Sequence, residues 1–260
     1  LQTVVLAEAL VDGLADLSAP APDATTTLAV NGTPLSCRAA ISEPYTLASA
    51  YAAACPAPFA DLGEQLGANG LAEAIERWAL TITPPPLEIP TEAADWTAEA
   101  ISTTAALRTE AIGQGELTVS PLQMALVAGT LANQGTMPTP HLALRVQDAE
   151  GSWWEHPSAG EPRTVLWPSV AENLLSAWQR YGDDPSTLPV PSEAEGLRAS
   201  VAGHWGAAVA GEKQPPHAWF IGVSPADAPR YAVAVLLEHP SDPRQAVDVG
   251  RALLEAVPNH

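Results

Sequence analysis

The chain has 260 residues, a formal charge of −19 and 47% hydrophobic residues. That apolar content supports a packed core and excludes global disorder. Thirty acids against eleven bases exclude a reader of the nucleic-acid backbone and a polybasic membrane-surface binder, since both need a basic face.

Leu6, Leu10, Leu14 and Leu17 recur at helical spacing, which predicts an amphipathic helix over residues 1–17. The chain opens inside this pattern, as a processed fragment whose natural N-terminus lies upstream would. The Pro-rich stretch 18–24 ends the helix. Residues 25–30 alternate with β-branched side chains, Asn31-Gly32 is a hairpin signal, and a strand over 33–39 follows. Thr46 can N-cap a helix running to 54, and Pro56 suits the first turn of another reaching 65. Gly67 to Gly70 separates that helix from one at 71–79. Residues 81–99 read as loop. A helix over 120–133 has Ser120 as cap, Pro121 at its first position and Gly135 as stop. Strands are expected at 141–147 and 152–156, and an amphipathic helix at 169–181. A Pro- and acid-rich linker covers 182–196. Three apolar runs, 198–208, 217–223 and 230–238, precede a closing helix at 243–257. This order predicts a mixed α+β fold, with an antiparallel sheet, a terminal helix on one face and a helical insert between its first and last strands. No run approaches the ~20 apolar residues of a membrane span, so no membrane contact by this stretch itself is expected.

The chemistry-bearing residues are few. Ten of the eleven bases are Arg, and the single Lys213 sits in the polar run Gly-Glu-Lys-Gln-Pro-Pro. Mechanisms needing two lysines, or one inside a helix, are excluded. Cys37 and Cys55 match no zinc or redox spacing, which leaves a disulfide or two buried thiols. Gly113-Gln114-Gly115 lacks the continuation of a phosphate loop, and there is no Gly-x-Ser-x-Gly elbow. His141, His156, His204, His217, His239 and His260 sit singly, none at metal-ligand spacing. Asp183-Asp184 falls in a polar loop, where solvated charge is the default. The eight Trp residues belong mostly to packing. No metal and no cofactor is expected.

Three groups of segments go further. Ile112-Gly113-Gln114-Gly115, then Thr118 and Pro121-Leu122-Gln123-Met124-Ala125, continue into Leu131-Ala132-Asn133-Gln134-Gly135-Thr136 and Pro140-His141. Val201-Ala202-Gly203 is followed by His217-Ala218-Trp219-Phe220-Ile221-Gly222 and Tyr231-Ala232-Val233-Ala234-Val235. Thr46-Leu47-Ala48 leads through Cys55 to Phe59-Ala60-Asp61-Leu62-Gly63, and a weaker match covers 1–13. In this order the segments resemble the transpeptidase domain of penicillin-binding proteins, a branch of the serine D,D-transpeptidase and β-lactamase-like superfamily. The resemblance implies one domain over 1–260 with a mostly antiparallel sheet of about five strands flanked by helices. The first and last helices would share one face. A helical lobe near 46–134 would join a sheet lobe built from 1–45 and 135–260.

That family works through a Ser-x-x-Lys helix, a Ser-x-Asn turn and a Lys-Thr-Gly strand. An alcohol nucleophile needs an adjacent base, and the acyl oxyanion needs donors. Each motif departs here. The Lys-Thr-Gly positions read His204-Trp205-Gly206, and the Ser-x-Asn positions read Ala54-Cys55-Pro56. The lysine of Ser-x-x-Lys falls near Gln2, which puts its serine upstream of Leu1. Only His204 among the replacements titrates near neutral pH. On a strand, His204 and Gly206 face one side and Trp205 the other. A ligand role for His204 predicts tighter binding of carboxylates as pH drops, with the charge of −19 favouring protonation. The resemblance therefore implies a domain of the peptidoglycan machinery that has lost catalysis and serves as a binding or scaffolding module. The alternative is an active, penicillin-sensitive D,D-transpeptidase whose serine precedes residue 1. Implied partners are peptidoglycan stem peptides or cell-division and elongation proteins, with no nucleic acid. The implied location is the outer face of the cytoplasmic membrane or the periplasm, tethered by an upstream anchor. An exported setting permits a Cys37–Cys55 disulfide.

Overall fold

A computed structural model describes residues 1–82, 91–156, 160–182, 201–209 and 214–257. The predicted linker from 183 onward, Asp183-Asp184, Lys213, His260 and the first residues of the strand predicted at 198–208 lie outside the described residues. The opening helix α1 spans Gln2–Val11 and ends earlier than its leucine spacing suggests, because Gly13 takes a left-handed φ of 68°. β1 (Leu28–Val30) and β2 (Thr33–Leu35) form the hairpin signalled by Asn31-Gly32, both at positive φ. α2 (Leu47–Ala52) is capped by Thr46, whose side chain and Ser49 form a reciprocal capping box. α3 (Pro56–Arg77) begins at Pro56 and breaks at Gly67, so the two helices predicted there meet at a kink.

A 3-10 turn at Ala98–Ile101 and α4 (Thr104–Ala111) occupy a stretch where no helix is predicted. Over eight residues rich in Ala and Thr, the apolar period is too short to register. α5 (Pro121–Ala132) has Ser120 as cap and Gln123 closing its capping box, as its sequence dictates. The pairs β3 (Thr136–Met137) with β6 (Arg163–Thr164), and β4 (Arg145–Gln147) with β5 (Trp153–Glu155), flank the next region. α6 (Pro168–Gly182) precedes β7 (Ala202–Ala208), β8 (His217–Ser224), β9 (Tyr231–Leu237) and α7 (Gln245–Ala256).

The class is α+β with antiparallel sheets, as expected, but its details differ. Among the described residues the main sheet has three strands, in the order β7-β8-β9, not five. The other strands are two or three residues long and close on one another as separate two-stranded ribbons. The first and last helices do not share a face either. α7 covers β8 and β9 through Ala246, Val247, Gly250 and Leu254, while α5 packs on the opposite face and α1 packs against α3 and α6. Burial explains the difference. α1 is buried continuously from Thr3 to Ala9 and needs neighbours on every side, whereas α7 has one apolar face suited to a sheet.

Cys37 and Cys55 are joined in a disulfide rather than left as thiols, which ties the segment after β2 to the start of α3. Its loop spans 18 residues, so the Cys37→Ser, Cys55→Ser double variant is expected to lose about 3 kcal/mol of stability on the chain-entropy argument. The urea midpoint of unfolding measures this, and an unshifted midpoint would refute it.

Candidate functional site

A cavity of about 400 Å³ opens between the start of α1, the α2–α3 junction, the loop 112–119 and strand β7. Gln2, Ala54, Pro56, His204, Trp205 and Gly206 all line it. Cys55 is buried behind the wall, and its carbonyl accepts a hydrogen bond from Gln2 Nε2 at 3.3 Å. Gln2 Oε1 lies 3.3 Å from His204 Nε2. A carboxamide oxygen only accepts, so the imidazole carries its proton on Nε2 in this contact. One amide side chain thus bridges the turn at 54–56 and the strand at 204–206, three segments that are far apart in sequence. Ala54 holds a left-handed φ of 49° at that turn and offers only a methyl group.

Alternation along β7 sends the side chains where the strand period requires. His204 points inward and stacks on Tyr51 with ring centroids 4.3 Å apart. Trp205 turns to the other face and joins the small core under α7. Tyr51 is itself fixed: its hydroxyl accepts from Trp178 Nε1 at 2.7 Å and shares a hydrogen bond with Thr3 Oγ1 at 2.8 Å. Burial pushes the Tyr51 hydroxyl up, well out of the range of ordinary titration.

Burial pushes the His204 imidazole down to about 3. This corrects the expectation that the chain's net charge favours protonation. The ring is desolvated between Tyr51 and the sheet, and distant, solvent-screened acids cannot replace lost hydration. The sign for stability follows. The unfolded imidazole, near 6.5, binds a proton that the folded one refuses, so stability present above pH 6.5 is lost as pH falls toward 3. The slope is about 1.4 kcal/mol per pH unit within that window. The imidazole resonances of His204 should stay fixed between pH 8 and 5, and the His204→Asn variant should lose less stability on acidification. Titration of that ring with a midpoint near 6.5 would overturn both.

Several cleft residues escape a reading by motif. Gln114 Nε2 donates to the Ala207 carbonyl at 2.9 Å and its Oε1 accepts from Val209 N–H at 2.7 Å. Gln114 thereby occupies backbone groups at the end of β7 and one residue beyond it. The Glu110 carboxylate accepts from the backbone N–H groups of Glu116 and Leu117 and from Trp96 Nε1, which shapes the loop beneath. Gly115 lies against that carboxyl, where a Cβ would collide with it. Arg38 also lines the cleft. The glycine pair around Gln114 is the one local signal for this group. His217 and His239, read as single histidines, form a tilted ring pair with centroids 4.3 Å apart, and His217 also lines the cavity.

Residues 35–255 match the penicillin binding protein transpeptidase domain. The peptidoglycan D,D-transpeptidase PbpA of Mycolicibacterium smegmatis is 32% identical over 249 residues, covering 91% of this chain and 48% of that protein. The chain thus spans about half the length of such relatives. The crystal structure of PBPA from Mycobacterium tuberculosis superposes with a TM-score of 0.77 at 27% identity, covering 98% of this chain and 59% of that one. The D,D-transpeptidase domain of a peptidoglycan glycosyltransferase from Eggerthella lenta gives a TM-score of 0.81 at 21% identity, over 98% of this chain and 63% of its own, a likeness of fold. By family match and by identity across nearly its whole length, the chain belongs to the penicillin-binding protein transpeptidase-domain family.

Proposed function

We propose that this chain is a peptide-binding module of the peptidoglycan-synthesis machinery that does not itself carry out acyl transfer. The observation that supports this most is the occupancy of the base positions. Gln2 stands where the Ser-x-x-Lys lysine is expected, and its amide is engaged by Cys55 and His204. Ala54 and Pro56 carry no proton to relay. His204, held down to about 3, is too weak a base for an alcohol at neutral pH. The cavity remains, and β7 still offers an edge for an added peptide strand up to the point where Gln114 occupies it.

No described helix is long and apolar enough to cross a membrane. In this reading the module works at the outer face of the cytoplasmic membrane or in the periplasm, tethered by a segment before residue 1. Stem peptides or cell-division and elongation proteins are its partners there. The rival reading, an active penicillin-sensitive D,D-transpeptidase, draws on the M. tuberculosis PBPA acyl-enzyme complex with penicillin G, which has a TM-score of 0.78 at 26% identity. Covalent capture of labelled penicillin by the protein carrying its natural residues upstream of position 1 separates the two: an unmodified mass is expected, and an adduct of one drug mass on a serine overturns the proposal.

A further inference from the structure

We propose that Arg38 is the anion-recognition residue of the cleft, taking the carboxylate of a short acyl-peptide laid beside β7. The inference rests on the reading of the cleft as a peptide groove. It starts from charge. The chain carries −19, yet none of the side chains lining the cavity is an Asp or Glu. Arg38 lines it, and among the described residues its guanidinium has no hydrogen-bond, ion-pair or ring partner. The other partly buried arginines with described side chains are matched: Arg77 to Glu8, Arg108 to Asp61 and Glu64, and Arg251 to Glu255. In so acidic a protein, a half-buried guanidinium without a carboxylate is the exception.

Its placement is built. The Arg38 backbone N–H donates to the Ala53 carbonyl at 2.7 Å, and the adjacent Cys37 is bonded to Cys55. These ties hold Arg38 beside the turn at 54–56, in the wall of the cavity that His204 also lines. Burial lowers the guanidinium's proton affinity, the mark of a cation that has lost water without gaining a counter-ion. Even so, it stays charged at every physiological pH. His204 is neutral, so Arg38 is the permanent side-chain cation lining the cleft. A cavity of about 400 Å³ suits a ligand of dipeptide size. The planar fork of Arg matches a carboxylate in bidentate fashion, and a half-buried site strengthens that pair.

The test is calorimetric titration of the whole chain with N-acetyl-D-alanyl-D-alanine and with its C-terminal amide. The acid is expected to bind the native chain about tenfold or more tightly than the amide, in line with a charge-assisted pair. The comparison is made at pH 8, where the Leu1 amino group that also lines the cleft, lowered to about 6 by burial, is unprotonated and the Arg38 guanidinium is charged. R38Q should bring the acid down to the affinity of the amide. R38M, which keeps the aliphatic stem that fills the wall, is the second variant and is held to the same outcome should R38Q disturb the fold. Equal binding of acid and amide by the native chain, or a preference that survives in a folded variant, overturns the role of Arg38 and leaves the groove standing. Failure of both probes to bind at millimolar concentration removes the peptide groove itself, and Arg38's role with it.

Discussion

Benzylpenicillin in excess is expected to leave this chain at its unmodified mass after denaturation. Acylation needs a hydroxyl held beside a base, and donors where the oxyanion forms. General-base assistance alone is worth about 10²–10⁴ in rate. Here the two side chains that meet at the base positions are a carboxamide and an imidazole held down to about 3. At pH 7 such an imidazole is unprotonated, yet its low affinity for a proton leaves little driving force to strip one from an alcohol. Ala54 and Pro56 remove the relay on the other side of the cleft. Groups that act as a unit fail together, so the loss is set by the whole constellation and amounts to several orders of magnitude. Intact-mass measurement after incubation reads it directly. An adduct would make His204 and Gln2 the first residues to replace.

Phe220→Ala should cost the fold about 3–5 kcal/mol, the largest stability effect of a single side chain proposed for this protein. Phe220 is buried at the centre of β8, opposite Trp205, in the core shared with α7. Three glycines make room for its ring. A Cβ on Gly222 of β8 would fall 2.6 Å from a ring carbon, and Cβ atoms on Gly203 of β7 and Gly250 of α7 would come closer still. Gly250→Ala is therefore expected to destabilise. Inside a helix this change ordinarily stabilises by about 1 kcal/mol, but overpacking a filled site costs about 1–3 kcal/mol. Combining Gly250→Ala with Phe220→Leu should recover part of the loss, since the two residues share one space. A thermal midpoint raised by Gly250→Ala alone would refute this packing.

The sequence was most legible where structure is local. Thr46 with Ser49, and Ser120 with Pro121 and Gln123, set their helix starts because a cap is satisfied within one turn. Asn31-Gly32 set its hairpin by the same economy of range. The run of matching segments in order carried the family and the α+β class. Gln2, Ala54, Pro56 and His204 line one cavity.

What the amino-acid order by itself determined, then, is the locally capped helices and the hairpin, the family and the absence of a lysine at the base positions. Tertiary structure alone decided how the remaining groups behave. The proton affinity of His204 depends on Tyr51 and Gln2, which lie 153 and 202 residues away along the chain. The want of a partner for Arg38 depends on which carboxylates fold elsewhere. The same holds for which helix covers the sheet: α1 is buried along its length among other helices, and α7 lays its one apolar face on β8 and β9. Desolvation and pairing are properties of a neighbourhood, and a neighbourhood is assembled only when distant segments meet.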